Sequence, residues 1–514
     1  MGKAGLVAAG ILLSRLAGLI RLRVFAHYFG LQSDAADAFN AAFRIPNLLQ
    51  NLFGEGALSG SFIPAYAGLL ARGSRDEADR VAGAVGALLA TIVAALVTLG
   101  VLLTPILIDL IAPGFDGEKR LLTIRLVRVL FPGAGLLVLS AWCLGVLNSH
   151  HRFLLSYTAP VVWNAAMIAT LVAFGGEALP RLAEYLAWGS VVGSALQFGV
   201  QLPAVARIAR PRLTWDPTSA HVRGVIANFV PVFFSRGVVQ VSAYIDTVLG
   251  SLLPTGAVTG LFSAQLIYTL PISLFGMSVA ASELPVMAGA AVDPNGAALV
   301  RQRLSMALRQ VAYLAVPSAV AFLALGDIVA AALLQTGRFT AEDARYVWGI
   351  LAGSAIGILA STLGRLYSST YYAVRDTRTP LRYALVRVVL NVALGYVLAL
   401  PVPRAIGIPA SWGAAGLTLA SALAGWVEFV LLRRGMNARI GPTGVPVGYH
   451  VRLWASAVAA ASLAWGIRLS LPALHPWMAA ALILGPFGAA YLLATSLQQL
   501  PEAAALLRRF RRTG

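Results

Sequence analysis

Six of the polar residues in the apolar stretch 35–69 stand in register: Asp37, Asn40, Arg44, Asn51, Glu55 and Ser59. At about 100° per residue along a helix they fall within an arc of roughly 100°, one continuous polar stripe. A stripe holding both Arg and Asp cannot face lipid, where each such residue costs about 2.5–3.5 kcal/mol at mid-helix. It must face a wet cavity, or opposite charges in the bundle that would only fix helix register. Further arginines stand in other apolar stretches. Ser14, Gly18 and Arg21 share one face of 4–27, with Arg15 to the side; Arg236, Gln240 and Asp246 lie in 224–252, and Arg365 in 343–372. A guanidinium stays charged at low dielectric and presents a planar fork of donors matched to phosphate oxygens. Arg15, Arg21, Arg44, Arg236 and Arg365 together would line a cationic cavity for an anionic, phosphorylated ligand. Charge for charge, Asp37, Glu55, Asp246, Glu283 and Glu428 could instead neutralise them.

Such side chains need a scaffold able to hold charge at membrane depth. The chain has 514 residues, 58% hydrophobic and 12% charged, against roughly 25% charged in soluble domains. That composition excludes a soluble enzyme or a DNA-binding protein, and it places the net charge of +18 in short loops between apolar runs rather than on nucleic acid. A spanning helix takes about 20 apolar residues. About fourteen such runs are present: 4–27, 35–69, 81–112, 122–147, 154–176, 184–206, 224–252, 259–288, 305–332, 343–372, 382–401, 409–432, 450–471 and 477–499. The expected fold is an all-α polytopic membrane protein of about 14 transmembrane helices. Pro46 and Pro64 predict a bend in the long second run, or its extension into water. Arg15, Arg21 and Arg23 follow the first apolar stretch where a signal peptide needs its cleavage site, so that stretch is expected to be a retained span.

Counted by alternate loops, 24 of the 39 Lys and Arg fall on the side of the termini and 9 on the other, which predicts cytoplasmic N- and C-termini. Six remain at membrane depth: Arg15, Arg21, Arg23, Arg44, Arg236 and Arg365. The sequence carries no phosphate-binding G-x-x-x-x-G-K-[ST] loop, no H-E-x-x-H and no nucleophile elbow, which argues against an ATP-driven pump or a hydrolase. Cys143 is alone, so neither a disulfide nor a cysteine metal site is expected, and the six histidines are scattered near loops.

A faint internal repeat orders these spans. Pro46, Phe53-Gly54 and Pro64 are echoed by Pro271, Phe275-Gly276 and Pro285; Gly114-Phe115 by Gly337-Arg338-Phe339; and Arg152, Pro160 and Asn164 by Arg375, Pro380 and Asn391. The offset covers six spans, an even number, so both halves run in the same sense, a transporter architecture with the site near the lobe interface. The expected organisation is an N-terminal lobe of spans one to six (1–210), a C-terminal lobe of spans seven to twelve (211–435), and two final spans with a basic cytoplasmic tail (436–514).

Several motifs resemble the MurJ (MviN-type) lipid II flippases of the multidrug/oligosaccharidyl-lipid/polysaccharide exporter superfamily. They are Ser14-Arg15-Leu16-Ala17-Gly18 with Arg21, Asp37-Ala38-Phe39, Arg44-Ile45-Pro46-Asn47-Leu48-Leu49, Gly54-Glu55-Gly56-Ala57 and Phe62-Ile63-Pro64. Asn148 with Arg152-Phe153, Gly337-Arg338-Phe339-Thr340 and the stretch Tyr372 to Pro380 agree as well. The resemblance covers the first twelve spans; the last two match only as apolar helices.

What it implies is a bacterial cytoplasmic-membrane transporter, not an enzyme. Its substrate would be lipid II, an undecaprenyl-pyrophosphate-linked glycan, carried from the inner to the outer leaflet by alternating access of two lobes. The implied substrate-binding residues are Arg15, Arg21 and Asp37. Arg44, Glu55, Arg236 and Arg365 join them from the charge pattern, and Gln265 stands in span eight where the family often has Arg. Gln50 and Asn51 likewise replace a family basic residue, a departure that leaves the glycan headgroup open. A sodium site of some relatives is matched in part by Asp246 and Asn391, but Gly395 stands where an oxygen ligand is wanted. No cofactor is expected; a coupled sodium ion or proton stays open. Expected partners are the substrate, membrane lipids and the cell-wall synthesis machinery, and no nucleic acid. The alternatives are an exporter of another polyprenyl-linked saccharide or of a drug, a membrane glycan polymerase, and a cell-wall scaffold with no transport of its own.

Overall fold

The computed structural model describes residues 3–209, 215–216, 219–291, 293, 295–472, 474–504 and 506; the side chains of 3–9, 11, 55–57, 59–60, 231–232 and 234–243 lie outside the described residues. Lipid offers no water to a bare peptide group, so spans built from apolar runs close their hydrogen bonds internally as helices. Every long element is helical, and among the described residues there is no strand, only an isolated bridge between Thr336 and Phe339. Among the described residues ten helices are long and apolar enough to cross a membrane, or eleven if a pair bent by 43° is one span. The charge-bearing first, second and seventh runs are not among them.

The chain forms two compact units, Met1–Thr259 with Thr336–Phe339, and Gly260–Gln335 with Thr340–Gly514. The first holds α1 (Lys3–Phe29), α2 (Asp34–Phe53), α3 (Glu55–Ala71), α4 (Arg75–Leu102), α5 (Thr104–Ile111), α6 (Gly117–Ser149), α7 (Phe153–Phe174), α8 (Leu179–Ala209) and α9 (Ala220–Ser251). This division keeps α9, the seventh run, with the first six rather than beginning a new body at 211. α6 is the central column, packed by α2, α3, α4 and α8. An aromatic file runs between α1, α2 and α7: Phe25 lies 4.5 Å from Phe29 and 5.6 Å from Phe39, Phe39 5.8 Å from Phe43, and Phe43 5.7 Å from Trp163.

The bend of the second run falls at neither proline. Pro46 and Pro64 sit inside α2 and α3, and the chain breaks at Gly54, which is extended with its N–H on Gln50 O at 2.7 Å. A Cβ at Gly54 would lie 2.2 Å from that carbonyl, so only glycine closes the corner. The echoed Phe275-Gly276 of the sequence repeat also marks an irregular turn, the π-helical segment Ile272–Met277.

The second unit contains most of α10 (Ala257–Pro271), that π turn, α11 (Ser278–Ala290), α12 (Gly296–Leu334), α13 (Ala341–Ala355), α14 (Ile358–Ala373), α15 (Arg378–Ala399), α16 (Pro401–Ala405), α17 (Gly413–Ile440), α18 (Val447–Ser470) and α19 (Pro476–Leu497). A reciprocal capping box starts α13: Thr340 Oγ1 accepts from Asp343 N at 3.2 Å, and Asp343 Oδ2 from Thr340 N at 2.8 Å. The two final helices dock on α12 through polar bonds as well as apolar packing. Tyr491 donates to Tyr313 O at 2.7 Å, Trp465 to Ala324 O at 2.9 Å, and Arg468 pairs with Asp327 at 2.6 Å.

Candidate functional site

The stripe on α2 finds its partners inside the first unit. Asp37 is 1% exposed and accepts from Lys119 Nζ at 3.0 Å, Gly256 N at 2.8 Å, Thr259 N at 2.9 Å and Thr259 Oγ1 at 2.7 Å. Asn40 donates to Thr259 Oγ1 at 3.2 Å. Two turns after Asp37, Arg44 donates to Thr247 Oγ1 at 2.7 Å while Tyr244 donates to Arg44 O at 2.6 Å, and Asp246 is close enough to act on the guanidinium. The first half of the stripe therefore forms a seam with α9 and the turn into α10. In this conformation both carboxylate oxygens of Asp37 are bonded to protein donors and Arg44 bonds Thr247 through Nη1; Asp37 holds backbone in place rather than facing open space.

Two turns tighten the same end of the unit. Gly114, after α5, donates its N–H to Ser251 Oγ at 3.2 Å, and a Cβ there would lie 2.1 Å from Ser251 O. Gly337, at φ +54°, brings Arg338 N to His27 O at 2.9 Å, and its Cβ would lie 2.3 Å from that oxygen. These are the turns that the sequence repeat pairs. One grips the end of α9, the other the end of α1.

Arg21 is placed differently. Its guanidinium lies over the Trp163 ring at 4.8 Å and the Phe43 ring at 5.4 Å, with one nitrogen 3.4 Å from Met167 Sδ. Trp163 is itself fixed by its indole N–H, 3.2 Å from Ser190 O. Among the described residues no carboxylate stands within 4.0 Å of Arg21, and its buried Nε has no hydrogen-bond partner. Gly18, one turn earlier on the same face, has nothing within 4 Å of where a Cβ would be, so room lies beside the guanidinium. Arg15 is exposed on α1, and Asn51 is exposed at the far end of the stripe. The side chains of Glu55 and Arg236 lie outside the described residues.

In the second unit Arg365 on α14 neighbours Arg387 on α15, Glu428 on α17 and Tyr268 on α10. Glu428 pairs with Arg387 at 3.1 Å, so one carboxylate serves two guanidinium groups and the cluster keeps a positive excess. Gln265 is exposed one turn before Thr269, to which its amide donates at 3.2 Å. By chain position Lys119 and Arg387 belong with the loop charges. The structure puts the Lys119 ammonium on Asp34 and Asp37, both at 3.0 Å, and Arg387 well inside α15. The position of Arg387 within the apolar run 382–401 was the available signal; for Lys119 there was none in the sequence.

Of the two residues expected at a sodium site, each is described within its own unit. Asp246 already has the Arg44 guanidinium beside it, and Asn391 lies in the other unit with side-chain-less Gly395 one turn on. Among the described residues no group of three or more His, Cys, Asp or Glu could hold a metal.

The family model described as lipid II flippase MurJ matches residues 25–497. The chain belongs to the MurJ family. It is 32% identical over 443 residues to the lipid II flippase MurJ of Burkholderia cenocepacia, covering 84% of this chain and 83% of that one. It is 33% identical over 448 residues to a probable lipid II flippase MurJ of Rhizobium tropici, covering 84% and 80%. A solved lipid II flippase MurJ in an inward closed conformation superposes with TM-score 0.79 at 23% identity, covering 96% of this chain and 98% of that one. An inward-facing multidrug resistance MATE transporter of the MOP superfamily superposes with TM-score 0.67 at 16% identity, covering 85% and 99%. The MurJ fold thus shares its helical plan with the MOP superfamily, and this member is an all-α, multi-pass membrane protein.

Proposed function

We propose that this MurJ-family chain is a transporter that flips lipid II, the undecaprenyl-pyrophosphate-linked peptidoglycan precursor, across the bacterial cytoplasmic membrane, with both termini on the cytoplasmic side. The observation that carries the reading is Arg21: a cation seated on Phe43 and Trp163, with no carboxylate within 4.0 Å among the described residues. A half-buried cation whose Nε has no hydrogen-bond partner and which has no carboxylate beside it among the described residues is incompletely compensated, and an incoming pyrophosphate oxygen would supply the missing charge. The aromatic shelf fixes the guanidinium plane, so its donor edge is preset for a bidentate contact. Arg15, exposed between one and two turns earlier on α1, adds to the positive charge available to the headgroup.

Alternating access gives the seam its role. Asp37, Lys119 and Thr259, with the Gly114 and Gly337 turns, close one end of the first unit, on the side of the loops poorer in Lys and Arg. Release on that side requires this seam to part, while the arginine-rich loops on the other side draw the anionic headgroup in. Outward movement of a negative charge is favoured by about 2.3 kcal/mol per charge per 100 mV in an inside-negative cell, so export needs no nucleotide. A glycan polymerase would want a long external connection bearing a catalytic acid; the connections on the seam side among the described residues are short.

The test replaces Arg21 by Ala and by Lys in cells acutely depleted of their resident flippase. Exposure of lipid II on the outer face is measured together with membrane abundance of the variant. Arg21→Ala should lower exposure at least about 30-fold, the loss of a buried charge-paired contact, and Arg21→Lys should recover part of it. Undiminished exposure with Arg21→Ala at normal abundance would remove Arg21 from the transport path.

A further inference from the structure

The second unit contains a cavity of about 290 Å³ that the transport reading does not use. α12, α14, α17 and α18 wall it with Leu308, Leu363, Phe429 and Trp454, and it extends along α17 from Arg433 to Trp426 and along α14 from Tyr367 to Leu359. At 1.5 Å per residue those two stretches carry it roughly 10 Å into the apolar depth of the bundle. Its polar residues gather at the other end, beside the connection from α17 to α18. There Arg433 Nε donates to Thr443 O at 3.2 Å, the Thr443 hydroxyl is 2.9 Å from the Tyr367 hydroxyl, and His450 Nδ1 is buried without a hydrogen-bond partner among the described residues. Gly444, at φ +130°, leaves the guanidinium its place: a Cβ there would lie 2.9 Å from Arg433 Nη2.

We infer that this cavity is a binding site for an acidic glycerophospholipid of the surrounding bilayer, with one acyl chain between α12, α17 and α18 and the phosphate at Arg433 and His450. The volume lies at the lower end of small-ligand pockets, room for part of one chain. Basic pockets between transmembrane helices at the membrane edge bind anionic headgroups because phosphate finds both charge and donors there. Arg433 spends its Nε on Thr443 O, which aims the guanidinium while leaving both terminal nitrogens for a ligand. His450 supplies the second donor from the facing helix. The carboxylates of this region are elsewhere engaged: Glu428 pairs with Arg387, Asp376 with Arg439 and Glu502 with Arg309. The site therefore keeps its positive charge, which a zwitterionic or neutral lipid would not repay.

Native mass spectrometry of the full-length chain, delipidated in detergent and titrated with phosphatidylglycerol or chain-matched phosphatidylcholine, tests the assignment. One phosphatidylglycerol per chain should be retained in preference to phosphatidylcholine. Arg433→Gln should weaken that retention at least about tenfold. Arg434→Gln, which removes the same charge from the adjacent residue outside the cavity, should leave it within about twofold. Equal losses in the two variants, equal retention of the two lipids, or displacement of phosphatidylglycerol by an equimolar amount of undecaprenyl phosphate would each overturn the proposal. Should Arg433→Gln fail to fold, photocrosslinking of the wild-type chain with a diazirine-bearing phosphatidylglycerol decides. Label must fall on peptides containing Phe429 or Trp454, and label confined to other helices overturns it.

Discussion

Asp37→Asn keeps the shape of the seam and changes only its chemistry. Both carboxylate oxygens of Asp37 face donors: Lys119 Nζ and Gly256 N at one, Thr259 N and Oγ1 at the other. An amide presents one oxygen and one NH2, so whichever way the substituted side chain turns, its NH2 points at backbone N–H or ammonium donors. Turned toward Thr259 it can give a proton to the hydroxyl but still confronts Thr259 N; turned the other way it confronts Lys119, whose other carboxylate partner, Asp34, has a side chain 62% exposed. Removing one member of a buried pair costs about 3–5 kcal/mol. If that cost falls on the closed seam, the open population rises roughly 100- to 4,000-fold. Val258, 3% exposed against Ala41, Ala112 and Phe115, reports it. With the native Cys143 fully buried, a Val258→Cys chain offers one conditional thiol, and its labelling by a membrane-impermeant maleimide tracks seam opening. Asp37→Asn should accelerate labelling by roughly that factor. Asp34→Asn, at an exposed pair, should change it less than about fivefold. Equal labelling rates for wild type and Asp37→Asn would refute the claim that this carboxylate holds the seam shut.

Two further outcomes are expected. Between α14 and α15, hydrogen bonds from the Thr379 hydroxyl and backbone N–H, and then the Arg439 guanidinium at 2.6 Å, hold the Asp376 carboxyl below its usual range. A depressed folded-state value means that the stabilisation is complete above the ordinary carboxylate range, near 3.8, and is lost as pH falls through the lower folded value. Hydrogen exchange at residues 376–380 should thus be unchanged from pH 7 to pH 5 after correction for intrinsic rate and lose protection only in strong acid, whereas Asp376→Asn should lose it at neutral pH; identical profiles would remove the carboxylate's role. In the second unit, Glu428→Gln leaves Arg387 and Arg365 without their shared carboxylate and should lower thermal stability in detergent by about 1–3 kcal/mol. Adding Arg387→Gln should restore part of that loss, and strictly additive losses would mean that the pair is not coupled.

The helical architecture was legible because apolar runs of spanning length leave the backbone one way to satisfy itself. The site was legible only in part, for reasons that differ by residue. The angular spacing of Asp37, Asn40 and Arg44 showed that they share a face, but periodicity says nothing of what meets that face, and the partners Thr247, Gly256 and Thr259 come more than 200 positions later. Lys119 was assigned to an outer loop from its place in the chain, yet its four-carbon stem carries the ammonium to a carboxylate on α2. Arg387 was counted with the loop charges although it follows nine helical residues of α15; Glu428 lets it stay there. The corner of the second run was expected near its prolines. A Pro removes one donor within a helix that neighbours can re-satisfy, whereas Gly54 sits where any Cβ would strike Gln50 O.

The Gly114 and Gly337 turns fit their partners by what they lack. Each brings bare glycine backbone against the end of another helix, Gly114 against Ser251 and Gly337 against His27. The glycine itself brings no rotamer to the junction, so parting it breaks the hydrogen bonds to Ser251 Oγ and His27 O rather than prising a side chain from a socket. Were such a contact to open in a transport cycle, the load would fall on hydrogen bonds, which re-form at once, more than on interdigitated packing, which must be solved anew each time. The two turns are the ones the sequence repeat pairs, so doubling of one helical plan would supply both fastenings together.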